Sequence, residues 1–371
     1  MTGLISCTLE CNLRCEYCFE GNGDKGDNPN VIEINRRFDN AIEMFDKFVD
    51  AIYGYNNSEK TTIIWHGGEP TLIKPELMKE VMERQRNKEH NIDWRIQTNG
   101  TLINNERIQL FKEYGIFVGI SIDGLKKHHD KYRVMKNGNP TFEIIKKNMS
   151  LLKENAIPFS VLVTITDNNV NELKDIYDFL ASENICFSYN ALYPTQNIND
   201  TTELSEDYFS DAICNLFDIW IEDQNSRIVI APFEQIIEGI LRPDRGVPAC
   251  NWQRNCAESF VAIDTDGNIF PCEHWVGNKD MCLGDIDEID YLLEHEPRIF
   301  SNRVSLLNEH DCRDCEIYSF CYGGCPWNAY ILNGDVNKSD QSICNGRKKL
   351  IKHIYNYLKN NYSGKIMDLN L

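Results

Sequence analysis

Apolar residues alternate with polar ones, or run unbroken for a few positions, in six short β-rich stretches: residues 4–8, 62–65, 94–98, 117–122, 159–165 and 186–192. Between them, apolar positions recur at helical spacing over 37–53, 75–88, 105–114, 141–154 and 171–182. Strand and helix alternate, which predicts an α/β protein of βα units with parallel strands and right-handed crossovers. Such sheets carry their chemistry at the carboxyl ends of the strands. The residues just after each predicted strand are therefore where a site is expected.

The rhythm changes after Pro194. A polar connector, 196–206, leads into a helix-like run over 208–222, and the Pro- and Gly-rich stretch 242–250 reads as a boundary. From Cys250 to Cys344 cysteines dominate, and 347–362 reads as a closing helix with a basic, polar outer face. The expected organisation is an α/β domain over 1–195, a helical linker region over 196–249, a cysteine-rich domain over 250–345 and a C-terminal helix over 346–371.

A chain of 371 residues has room for two or three domains. Its net charge of −19 argues against a nucleic-acid or membrane-surface partner, either of which needs a basic face. No stretch approaches the ~20 apolar residues of a membrane span, and residues 1–9 have neither the basic start nor the length of a signal peptide. The expected location is the cytosol, where 15 cysteines favour metal over disulfides.

The first predicted strand is followed by Cys11, Cys15 and Cys18, a C-x3-C-x2-C set. Three thiolates at that spacing can wrap one cluster from one loop, but iron–sulfur clusters normally take four ligands. A distant fourth ligand is then needed, or one iron is left open for a substrate or cosubstrate. On spacing alone, a structural zinc loop or buried cysteines would also satisfy the pattern.

The second strand ends in Trp65-His66-Gly67-Gly68-Glu69-Pro70. Two glycines let the backbone approach a ligand, Glu69 offers an acceptor for an ammonium group, and Pro70 fixes the turn. The third strand ends in Gln97-Thr98-Asn99-Gly100 and the fourth in Ser121-Ile122-Asp123-Gly124, with Arg133 further on. Ser121 and Arg133 suit a carboxylate. Each motif alone is turn chemistry; their recurrence at strand ends argues for a shared site. His66 is expected to bond to backbone, and His128 and His129 to lie on a solvated face at a helix start.

In the last third, Cys250, Cys256 and Cys272 precede Cys312-x2-Cys315-x5-Cys321-x3-Cys325 and Cys344. Eight thiolates are enough for two fully ligated four-iron clusters. A zinc ribbon would need two C-x2-C knuckles, and only one occurs after Cys250. Cys7, Cys186 and Cys214 are expected as buried small apolar residues, and Cys282 has no assignment.

The cysteine loop and the strand-end motifs resemble those of the radical S-adenosylmethionine (radical SAM) family, with Tyr17 in the place of the family's aromatic beside the third cysteine. The resemblance implies a partial (β/α)6 TIM-like barrel in which Cys11, Cys15 and Cys18 hold a 4Fe–4S cluster. The open iron would be chelated by the amino and carboxylate groups of S-adenosylmethionine (SAM). One electron would then cleave the sulfonium to a 5′-deoxyadenosyl radical, which takes a hydrogen atom from the substrate. Gly67, Gly68, Glu69 and Pro70 match the family's GGEP motif, which holds the methionyl amino group. Ser121 and Arg133 fall to the methionyl carboxylate, Thr98, Asn99 and Asp123 to the ribose or cavity wall, and Leu192 to the adenine.

The last third resembles the SPASM domain of peptide- and protein-modifying members. That implies two auxiliary 4Fe–4S clusters, the inner on Cys250, Cys256, Cys272 and Cys325 and the outer on Cys312, Cys315, Cys321 and Cys344, for three clusters in all. The implied partners are a peptide or protein substrate and an electron donor such as flavodoxin or ferredoxin. The expected reaction is hydrogen abstraction from a ribosomally made peptide to form a crosslink such as a thioether, with Glu273 as the substrate's base. The radical loop begins at residue 7, so leader recognition is expected from a separate protein or from the SPASM surface. The alternative is an anaerobic sulfatase-maturing enzyme that oxidises Cys or Ser to formylglycine. Those relatives carry aspartate where this chain has Glu273, and can carry tyrosine where it has Glu20. An electron carrier without turnover is a further alternative, which the strand-end motifs disfavour.

Overall fold

The computed structural model describes residues 1–20, 38–192, 204–242, 244, 246–295 and 299–362. Parts of three expectations lie outside these residues: the start of the first helix, most of the connector 196–206, and the end of the C-terminal helix.

The nine strands are β1 (Thr2–Ser6), β2 (Thr61–His66), β3 (Ile92–Thr98), β4 (Phe117–Ser121), β5 (Phe159–Ile165), β6 (Phe187–Ala191), β7 (Phe260–Ile263), β8 (Asn268–Phe270) and β9 (Gly284–Asp285), counted among the described residues. The helices of the first half are α1 (Phe38–Tyr55), α2 (Pro75–Asn87), α3 (Asn105–Tyr114), α4 (Lys126–Tyr132), α5 (Phe142–Glu154) and α6 (Leu173–Ser182). Those of the second half are α7 (Glu206–Glu222), α8 (Ala231–Leu241), α9 (Ile289–His295), α10 (Ser301–Glu309), α11 (Tyr318–Cys321), α12 (Pro326–Asn333) and α13 (Cys344–Asn361). All six expected strands form within two residues of the expected ends. The α/β alternation read from the sequence is the fold.

The chain divides into two compact units. The first comprises residues 1–122, 129–160 and 257–299. Its strands run in the order β4-β3-β2-β1-β7-β8-β9. The five from β4 to β7 are parallel, and β8 and β9 are antiparallel additions. β2 buries Thr61, Ile63 and Trp65 on one face, as period-two alternation requires. Trp65 packs edge-on to Phe45 of α1 and stacked on Trp94 of β3. Each such side chain contributes roughly 1.5–3 kcal/mol by leaving water.

Local signals set the helix ends. Pro75 opens α2, Asn104 accepts the Arg107 N–H at 2.9 Å to cap α3, and Gly115 closes α3 at φ 64°. β7 was not expected from the sequence. It is only four residues long and follows a cysteine-rich stretch, so no periodicity marks it, yet it pairs with β1.

The second unit comprises 123–128, 161–256 and 300–371. It holds the parallel pair β5 and β6 and a helical core in which α7 and α13 pack together, with Phe217, Phe233, Ile351 and Ile354 buried. α8 lies inside the region expected as a helical linker, where the sequence reading had bounded only the run 208–222. Among the described residues no helix is long and apolar enough to cross a membrane.

The solvated-face expectation for His128 and His129 is overturned. Both are buried. His129 Nε2 meets Thr141 Oγ1 at 2.9 Å, and that hydroxyl donates to Arg133 O at 2.7 Å. His128 Nε2 lies 3.2 Å from Glu172. Seven residues of α4 are too few to show an apolar face, so only packing reveals which side is covered.

Candidate active site

The loop after β1 is fastened to the end of β2 through backbone. Gly68 N–H donates to Thr8 O at 2.7 Å and Glu69 N–H to Glu10 O at 2.9 Å. A Cβ on Gly67, at φ 114°, would fall 2.2 Å from Thr8 O, and one on Gly68 would fall 2.4 Å from Glu10 O and 2.5 Å from Leu9 O. The two glycines thus bring strand end and cysteine loop into direct contact, a role the sequence reading had given to ligand approach. Because the obstructing atoms are backbone, Gly68→Ala is expected to cost about 1–3 kcal/mol and to weaken SAM binding at least tenfold. Thermal unfolding and SAM titration of the anaerobic protein check it; unchanged affinity would refute the contact's importance.

Glu69 is fully buried. Its Oε1 accepts from Thr71 N–H at 2.9 Å, from Thr98 Oγ1 at 2.6 Å and from the Thr71 hydroxyl, while Oε2 accepts from Asn99 N–H at 2.7 Å. Each carboxylate oxygen has about two lone-pair sites, so Oε2, with one donor, keeps one for an ammonium group. Pro70 opens the short turn Pro70–Leu72. Asn99 Nδ2 reaches Asn12 Oδ1 at 2.9 Å and Cys11 Sγ at 3.7 Å, which ties the β3 end to the cysteine loop.

Cys11 is pushed up to about 11, by burial first, then by Glu69 and, more weakly, by Cys18. Cys15 is buried, and its carbonyl accepts the Cys18 N–H at 3.2 Å. The guanidinium of Arg133 lies over the Tyr17 ring at 5.2 Å, and Tyr17 meets Tyr132 edge-on. Ser121 Oγ, at the end of β4, accepts from Gln97 Nε2 at 3.2 Å. Tyr17, Gly67 to Pro70, Thr98, Asn99, Ser121 and Arg133 therefore belong to the first unit. Asp123 and Leu192 belong to the second, where Asp123 Oδ1 accepts the Thr164 N–H at 3.1 Å and Leu192 N–H donates to Ile165 O at 2.8 Å.

Sequence reasoning missed Arg107. It is buried, and its Nη2 donates to Thr71 O at 2.8 Å and to Ile73 O, holding the turn after Glu69. The available signal was a charged residue on the apolar face of α3, beside Ile108 and Phe111.

Glu273, in a short turn after β8, is also buried, and neither of its carboxylate oxygens has a well-formed hydrogen bond. His66 Nδ1 lies 3.2 Å from Glu273 Oε1. The same nitrogen can take the Gly67 N–H at 2.8 Å, the backbone role expected for it; a proton on Nδ1 selects the carboxylate instead. Burial pushes Glu273 up, but the adjacent imidazolium outweighs it and holds the carboxyl below its ordinary value. Burial likewise pushes His66 down, and Glu273 more than reverses that. Phe19 stacks on His274 at 4.6 Å.

All fifteen cysteines are free thiols. In the second unit they form two groups. Cys256 is pushed up to about 12 by burial and then by Cys325. Cys250, though exposed as a residue, is pushed up by the protein around its thiol and then by Cys256 and Cys325. Cys312 is pushed up to about 12 by burial and then by Cys321, Cys315 and Cys344. Cys272 lies in the first unit, immediately before Glu273. Thiols gathered this way resist ionising together unless a metal supplies positive charge. Among the described residues no three His, Cys, Asp or Glu side chains converge tightly enough for a single ion. Cys7 and Cys214 are buried as expected, whereas Cys186 is half-buried and its sulfur accepts the Val229 N–H at 3.3 Å.

The cysteine loop at the carboxyl end of β1 is locked to a Gly-Gly-Glu-Pro strand end, and residues 5–180, which contain both, match the Radical SAM superfamily and form a Radical SAM domain. The chain is an enzyme of this class, whose domain takes a 4Fe–4S cluster and SAM. It is similar to the serine-type anaerobic sulfatase-maturating enzyme of Bacteroides thetaiotaomicron, 25% identical over 94% of this chain and 87% of that one. It is also similar to the cysteine-type anaerobic sulfatase-maturating enzyme of Clostridium novyi, 29% identical over 86% and 85%. Among solved structures, native anSMEcpe with bound AdoMet and the Cp18Cys peptide superposes with a TM-score of 0.82 at 25% identity, covering 97% of this chain and 98% of that one.

Proposed function

We propose that this enzyme oxidises a cysteine or serine of a protein segment to formylglycine, as a sulfatase-maturating enzyme. The observation that carries this reading is the match along nearly the whole chain to relatives of both the cysteine and the serine type, and to a solved relative with bound AdoMet and peptide. It ranks above the thioether expectation, which the relatives named above do not support.

On this reading Cys11, Cys15 and Cys18 hold the SAM-binding cluster, and Cys250, Cys256, Cys272, Cys312, Cys315, Cys321, Cys325 and Cys344 hold two auxiliary clusters. Bound there, the cofactors supply the radical that removes a hydrogen atom and the centres that accept an electron. The chain's own residues supply the rest. Oε2 of Glu69 receives the methionyl ammonium, Arg133 the carboxylate, and Tyr17 orients Arg133 from below.

Oxidation of Cβ–SH or Cβ–OH to the aldehyde level removes one hydrogen atom, one proton and one electron; a thioaldehyde formed from cysteine then exchanges sulfur for water oxygen. Glu273 takes the proton. Its oxygens have lone pairs unused by the protein, and His66 keeps it ionised. Glutamate in place of aspartate is one methylene longer, and His66 fixes where that longer arm ends.

Peptides bearing cysteine or serine in a sulfatase segment, incubated anaerobically with SAM and a reductant, are expected to yield a product that a hydrazide reagent traps, read by mass spectrometry. A product short of two hydrogens that the reagent does not trap would point to a crosslink instead.

A further inference from the structure

Arg303 of α10 is buried in the second unit. Its Nε donates to Val336 O at 2.7 Å, Nη1 to Tyr322 O at 3.0 Å, and Nη2 to Gly323 O and Lys338 O, each at 2.9 Å. All four acceptors are neutral carbonyls, and among the described residues no carboxylate forms an ion pair with it. Arg347, a second buried arginine of this unit, pairs with Asp340 at 2.8 Å. A buried cation hydrogen-bonded only to neutral carbonyls is costly, so Arg303 calls for more counter-charge than Asp340, which already pairs with Arg347, provides.

As thiolate ligands of clusters, nearby cysteines would supply it. Burial pushes Arg303 below its ordinary value, and the opposing charges are, in order, Cys325, Cys256, Asp340 and Cys321. Cys325 and Cys256 belong to one thiol group and Cys321 to the other.

Two of the four carbonyls lie in the loop joining Cys321 to Cys325. That loop runs through three consecutive left-handed residues, Tyr322, Gly323 and Gly324, at φ 46°, 79° and 73°. At these φ values an L side chain in place of Gly323 or Gly324 would be strained, so the loop depends on its glycines. Its reversed backbone turns the carbonyls of Tyr322 and Gly323 toward the guanidinium, one Arg side chain spanning both through its planar fork.

We propose that Arg303 is a positioning residue for the auxiliary clusters: it holds the Cys321–Cys325 loop so that these two thiols serve different clusters, and its charge raises the reduction potential of both. This rests on the eight cysteines being ligands of two clusters. A thiolate-ligated cluster gains one negative charge when it takes up an electron, with no bond or proton changing hands, so a fixed cation favours its reduced form.

The test uses the full chain with Cys11, Cys15 and Cys18 replaced by alanine, reconstituted anaerobically, so that only auxiliary iron is read. This background should hold about eight irons per chain. About four or fewer would mean that the two-cluster reading has failed, which the iron count alone reports.

With iron in place, potentiometric titration followed by electron paramagnetic resonance compares Arg303→Met and Arg303→Lys. Arg303→Met is expected to shift the one-electron equilibrium at least tenfold toward the oxidised form, about 59 mV lower, and Arg303→Lys to recover most of that. Arg303→Met with full iron and an unmoved midpoint overturns the proposal. Iron lost in Arg303→Met and kept in Arg303→Lys supports it.

If both variants lose iron, hydrogen exchange on the unsubstituted chain decides. Chelating its iron should raise amide exchange over residues 322–340 at least tenfold while β2 and β3 stay protected. No rise there overturns the proposal.

Discussion

Cys15→Ala is expected to reduce formation of 5′-deoxyadenosine from SAM to background. Cys11, Cys15 and Cys18 come from one loop, and the iron left open by three ligands is where SAM is chelated on the proposed reading. With two thiolates left, neither the cluster nor the open iron is held. The fold should survive, because Cys15 is a small side chain in a loop whose attachment to β2 runs through backbone hydrogen bonds at Gly68 and Glu69. Iron per chain should therefore fall only from about twelve to about eight. Chromatography of 5′-deoxyadenosine and an iron assay on the same sample read both quantities. Undiminished 5′-deoxyadenosine would remove the basis of the proposed site.

Glu273→Gln should separate the two halves of the reaction. SAM cleavage should continue, since Glu273 is on a turn after β8, where it faces His66. Formation of modified peptide should fall by about 10²–10⁴, the usual contribution of a positioned base. The neutral amide also leaves His66 without its carboxylate, so the imidazole should lose its proton, and some stability goes with the pair. Glu273→Asp keeps the charge and should recover part of the rate. The ratio of modified peptide to 5′-deoxyadenosine is the deciding measurement; a ratio unchanged by Glu273→Gln would exclude a base at this position.

Much of this was legible in the chain itself, for reasons that differ by element. β2 and β3 show alternation because one face meets helices and the other does not, and α2 and α3 carry their own start and stop signals at Pro75, Asn104 and Gly115. β7 carries no such mark, whereas α8 opens with Pro232 in its first turn, and the sequence reading gave neither of them bounds. His128 and His129 misled it because one short helix is polar in composition but covered in space.

By itself the sequence determined the βα alternation, the three-cysteine loop after the first strand, the motifs at the next three strand ends, and the spacing of the cysteine-rich third. These are local properties, set by strand and helix periods and by the reach of a few residues. Only the tertiary structure decided that Gly67 and Gly68 seat the cysteine loop, that Glu69 spends most of its acceptors on Thr71, Thr98 and Asn99, that His66 faces Glu273, and that Arg303 holds the Cys321–Cys325 loop. Apart from Glu69 with Thr71, each of those pairings joins residues far apart in the chain, and what selects them is the requirement that buried polar groups find partners, a condition that exists only once the core has closed.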